Sequence, residues 1–144
     1  MIAGNRHATW CNERGQALAE FALVLPLVLL FIAGIVEMGR AWNIKQAVTD
    51  AAREGARYTV VQDPVVADAD AVKSKIMERL ALASIETADI TIEPSAGWRK
   101  TGQAMTVTVS TQFQMGLIGA LLDWAGAPSV VTISTNATMR NEPN

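Results

Sequence analysis

The hydrophobic and polar positions of this chain change their rhythm several times. From Ala17 to Val36 the residues carry a single charge, Glu20, and at about 1.5 Å rise per residue a helix over them spans roughly 30 Å, the thickness of a bilayer core. The run ends in Glu37-Met38-Gly39-Arg40-Ala41-Trp42, charge followed by an aromatic, which suits a helix leaving the membrane through a headgroup layer. No small-x-small cleavage site follows promptly, so the segment reads as an anchor kept in the mature protein. Beyond it the pattern turns amphipathic. Ile44, Val48, Ala51, Ala52 and Gly55 recur at spacings of three and four with no proline before Pro64, so the same helix continues past the membrane. Ala47, Ala51 and Gly55 form a stripe of small residues that suits close packing within the domain, with a subunit contact as the other reading. Pro26 lies inside the span, where it removes one backbone donor and predicts a kink near Ala22.

Asp63-Pro64 reads as a helix boundary, after which Ala69, Val72, Ile76 and Leu80 make the apolar stripe of a second helix over about Val66 to Ala83. Its other face holds Lys73, Lys75, Glu78 and Arg79, a mixed-sign surface that solvent accounts for. Then the period drops to two. Ile90 and Ile92 alternate with Asp89 and Thr91, and after a Ser95-Ala96-Gly97 loop a longer strand runs from Met105 to Met115. Met105, Val107, Val109, Phe113 and Met115 take one side; Thr106, Thr108, Ser110, Gln112 and Gln114 take the other, so one sheet face is covered and one is wet. A last run from Val130 to Met139 aligns Val131, Ile133, Ala137 and Met139. The expected fold is α+β: a long N-terminal transmembrane helix continuing into a small domain with a second helix and about three antiparallel strands. The connection Gly116 to Trp124 is unusually apolar; it reads as a short helix that closes the small core, or as a docking surface.

Composition removes several classes of function. The 12 basic and 14 acidic residues leave a net charge of −2, and no Lys or Arg cluster offers a track for phosphates, so nucleic acid is not an expected partner. One cysteine, Cys11, and one histidine, His7, both precede the apolar run. They supply neither a thiolate metal site nor a histidine-based triad, and no paired-carboxylate motif stands out. No catalytic, cofactor-binding or metal-ligating residue is expected, nor a small-molecule substrate. A lipid anchor on Cys11 is rejected because that cysteine comes before the apolar stretch rather than after it.

Glu20 needs compensation in an apolar helix. A cut between Gly15 and Gln16 would place a new α-amine about one helical turn from its carboxylate, allowing an ion pair within one chain or between subunits. Alternatively, Glu20 sits at the headgroup level and reaches the water there.

The stretch Arg14-Gly15-Gln16-Ala17-Leu18-Ala19-Glu20-Phe21-Ala22-Leu23-Val24-Leu25-Pro26 resembles the start of TadE-like proteins and a prepilin processing site. The resemblance continues through Gly34 to Arg40 and Ala51 to Arg57, and covers residues 14–58. It implies a minor pilin or pseudopilin of a Tad-type (Flp) type IV pilus system, matured by prepilin peptidase after Gly15. Gly15, Gln16, Glu20 and Phe21 are then the processing and assembly residues, with Gln16 departing from the residue many pilins carry there. Implied partners are the lipid bilayer, prepilin peptidase, other pilins or pseudopilins and the Tad inner-membrane assembly proteins. The implied organisation is a cytoplasmic leader over 1–15, a bacterial inner-membrane span over 16–38 and an extracytoplasmic domain over 39–144. The competing class is a permanent membrane anchor carrying a binding or scaffold domain.

Overall fold

A computed structural model describes residues 8–61, 68–94 and 102–140, with side chains from Gly15 onward. One helix dominates it: α1 runs from Ala8 to Val61, unbroken through Pro26. It begins well before the expected span, so the backbone on both sides of Gly15 is helical. Helix α2, Ala69–Ala81, is shorter than the expected Val66–Ala83. Asp68 flanks it in extended conformation, and the Asp63-Pro64 boundary lies outside the described residues. At the other end Ser84, at φ 58°, closes the helix. The Ser84 N–H donates to the Ala81 carbonyl and the Ile85 N–H to that of Leu80, a left-handed stop that returns Ile85 to the core beside Leu80.

The strands fall where the alternation places them: β1 Asp89–Glu93, β2 Ala104–Gln114 and β3 Val130–Arg140. They form an antiparallel sheet in the order β1-β2-β3, with Ile92 opposite Val107 and Val107 opposite Ala137. The Ser95-Ala96-Gly97 loop lies outside the described residues. Along β2, Met105, Val107, Val109, Thr111 and Phe113 are buried. Thr111 keeps the inward phase because its hydroxyl donates to the Thr87 carbonyl at 2.8 Å, which satisfies a polar group that would otherwise be costly there. Met115 lies just past the strand and is only half-buried. In β3 the expected inward set holds from Ile133 onward, while Val131 remains exposed. The opposite face is wet, and there the hydroxyls of Thr106 and Thr138 pair at 2.9 Å.

One core lies between the sheet and the two helices. Val48, Ala51, Ala52 and Ala56 of α1 meet Val72, Ile76 and Leu80 of α2 and the inward residues of β2. The small-residue stripe therefore serves packing within the domain. Gly55 shows why it must be small: a Cβ there would stand 2.5 Å from Ile76 Cδ1 and 2.7 Å from its Cγ1. The Arg53, Glu54 and Arg57 side of α1 is exposed, as is most of the polar side of α2.

The connection after β2 does form a short helix, α3, Gly119–Trp124. It does not close the core. Leu117, Leu121 and Trp124 are exposed, and the segment lies along the apolar part of α1. The expectation of a lid is corrected here: the core cluster is built from α1, α2 and the inward sheet face, and α3 contributes nothing to it.

Candidate functional site

The candidate site is the first half of α1, where most of the exposed large apolar side chains among the described residues lie. Between Leu18 and Val36 its large apolar side chains are exposed on every side: Leu23 is 80% exposed, Ile35 71% and Phe21 62%. A helix that is apolar all round has no water-facing stripe, so it belongs in lipid or among other helices. Among the described residues this is the one helix long and apolar enough to cross a membrane, which fits a single-pass membrane protein.

At the N-terminal end of that surface, Gln16 and Glu20 stand one turn apart. The Gln16 side-chain amide donates to the Glu20 carboxylate at 3.0 Å, on the exposed side of the helix. Glu20 therefore has a hydrogen-bonding partner in the uncut chain, a possibility absent from the two expected ones. Among the described residues nothing lies within 4 Å of a Cβ added at Gly15. Packing among those residues therefore gives no reason for a glycine at that position. Phe21 projects from the helix and is largely exposed. Side chains before Gly15, including Cys11 and Arg14, lie outside the described residues.

A second cluster forms where the apolar surface ends, and sequence reasoning missed it. Glu37 is buried, accepts the Leu117 backbone N–H at one carboxylate oxygen, and takes Arg40 Nη1 at 2.9 Å on the other. The Arg40 guanidinium also lies over the Phe113 ring, 5.3 Å from its centroid, within cation–π range. Gly116 makes room for this arrangement: a Cβ there would come 3.2 Å from Arg40 Nη1. The cluster ties the end of β2 to the point where α1 leaves its apolar run. Glu37 and Arg40 at i, i+3 were visible as a charged pair ending that run, but their partner lies 80 residues away from Glu37 along the chain.

Two other depressions are lined mainly by polar side chains. One, lined by Thr87, Asp89, Ser110 and Gln112, opens at the sheet edge; another lies between α1 and α2 beside Glu54 and Lys75. Among the described residues no group of His, Cys, Asp and Glu has the arrangement to hold a metal ion.

The model of the family described as TadE-like protein matches residues 15–57. No curated protein and no solved structure matches the chain. The matched residues begin at Gly15, include the exposed apolar helix and the Glu37–Arg40 pair, and end within the small-residue stripe that α2 and the sheet cover. Over this segment of α1 the chain is similar to TadE-like proteins.

Proposed function

We propose that this chain is a minor pilin or pseudopilin that serves assembly of a Tad-type (Flp) type IV pilus. It resides in the bacterial inner membrane with its N-terminus in the cytoplasm and its domain outside, and it is not an enzyme. The observation that carries the reading is the long apolar surface of α1, exposed all round and directly preceded by Gly15 and the Gln16–Glu20 pair. Such a surface is equally at home among acyl chains and among the helices of neighbouring subunits, so a subunit can pass from bilayer to filament without exposing it to water. The free space around Gly15 favours a role in peptidase recognition over one in packing. On this reading prepilin peptidase cuts between Gly15 and Gln16, and the released α-amine takes part in holding Glu20.

The second reading, a permanent anchor for an extracytoplasmic binding or scaffold domain, has its own supporting observation. Helix α1 is continuous from Ala8 across Gly15, and Gln16 already provides Glu20 with a hydrogen bond. Intact mass from membranes of cells with and without the cognate prepilin peptidase separates the two. Peptidase-dependent loss of Met1 to Gly15, abolished by Gly15→Ala, is the expected result. Persistence of the full chain in cells with working pili would overturn the pseudopilin reading and leave the anchor.

A further inference from the structure

The connection between β2 and β3 runs beside the membrane-spanning part of α1. Leu117, Ile118 and Leu121 form one side of an open apolar groove whose other side includes Leu23, Leu27, Leu30 and Ala33. Its base is fixed by the hydrogen bond from the Leu117 N–H to Glu37. From Gly116 to Ser129 there is one charge, Asp123, while Leu117 is 62%, Leu121 48% and Trp124 84% exposed. Side chains that face one another across a groove lie at similar depths. Leu30 lies about 9 Å along the helix before Val36, so wherever this part of α1 is in acyl chains, the tip of the connection is there too.

We infer that α3 is a second membrane contact: the β2–β3 connection dips into the leaflet on the domain's side, and acyl chains fill the groove between it and α1. This rests on reading α1 as a bilayer span, and it adds that the domain is held at two points rather than hung from one helix. Asp123, exposed near the end of α3, limits the dip, because burying its carboxylate among acyl chains is costly. Lipid fits the groove better than a second copy does. Its walls are mostly bulky branched side chains, interrupted by Pro26 and Ala33, with no polar side chain and no stripe of small residues to give a neighbouring helix a specific grip.

The full chain, reconstituted in phosphatidylethanolamine and phosphatidylglycerol vesicles, tests this through single-tryptophan fluorescence. A variant with Trp10→Phe, Trp42→Phe and Trp98→Phe keeps Trp124 alone. Its emission is expected to be blue-shifted, mostly lost when the acyl chains are brominated, and little affected by aqueous acrylamide. Moving the single tryptophan to Leu27→Trp reports the span itself, and to Arg53→Trp reports a position about 24 Å beyond Glu37 along α1. Quenching at Leu27→Trp but not at Trp124 overturns the dip and leaves the span standing, whereas quenching at neither overturns both. A bimane fluorophore on Leu121→Cys in a Cys11→Ser chain gives the same readout at a second position. Disulfide cross-linking of Leu121→Cys on one copy to Leu27→Cys on another, in place of lipid quenching, overturns lipid as the occupant.

Discussion

The two halves of α1 belong to one helix and have opposite surroundings. From Leu18 to Val36 most side chains are large and apolar, and those large ones are exposed; from Val48 to Ala56 the inward ones are mainly small and are fully buried. Backbone geometry is the same throughout, so the difference lies in what covers each half. Large branched residues suit lipid, which flows around any shape. Alanine and glycine suit a fixed partner, because they allow the α2 and sheet backbones to come close. Side-chain size along α1 thus marks the point where the solvent changes, and Glu37 with Arg40 stands between the two regimes.

Charge should break the first half most severely. Leu27→Arg, near the middle of the span, is expected to disfavour insertion by about 3 kcal/mol, read as a fall in the carbonate-resistant membrane fraction, with the folded domain unaffected. In the second half the equivalent damage comes from removing bulk. Ile76→Ala takes away the side chain that meets Gly55, and should lower the domain's unfolding free energy by about 2–4 kcal/mol in urea titration. Leu30→Ala deletes similar bulk in the lipid-facing half and should leave that titration unchanged, which is the sharpest form of the contrast.

Glycines along α1 divide the same way. Gly55→Ala gains helix propensity but crowds Ile76, and a net loss of about 1 kcal/mol is expected. Gly39→Ala, where an added Cβ meets nothing within 4 Å, should show no loss in the same urea titration. A smaller gain is expected in the domain away from α1. Ser84→Gly relieves a side chain held at positive φ while keeping the helix stop, and should raise stability by up to about 1 kcal/mol in urea. Least of all, Lys75→Ala breaks an exposed pair with Glu78 at 2.9 Å and should leave the urea midpoint unchanged within error.

The elements were legible because local periodicity encodes them. The alternation of Met105 to Gln114 predicted both the strand and its wet face, and the stripe Val72, Ile76, Leu80 predicted the buried side of α2. The resemblance over 14–58 rests on a contiguous stretch, and the family match over 15–57 falls within it. Three features were not legible in the same way. The end of α2 was misplaced because a left-handed serine carries a weaker stop signal than the glycine usual there. Thr111 gave no outward sign that the Thr87 carbonyl would let it keep an inward position. Glu37 was visible as a charge ending the span, but a carboxylate in sequence does not announce which distant amide it will accept.

The sequence by itself determined where the chain turns apolar, which faces of each element avoid water, and the processing-like motif at Gly15 to Phe21. These follow from side-chain chemistry repeated at helical or strand period, and each needs only a few neighbouring residues to be expressed. Tertiary structure alone decided which apolar surfaces find a protein partner. It covered the stripe of Ala51 and Gly55 and left the span bare. It also carried the apolar connection away from the core to the side of Leu27 and Leu30, where Glu37 holds its base. The physical reason is that hydrophobicity is non-directional: it states that a surface will leave water, while the choice of partner depends on shape and hydrogen bonds between residues far apart in the chain.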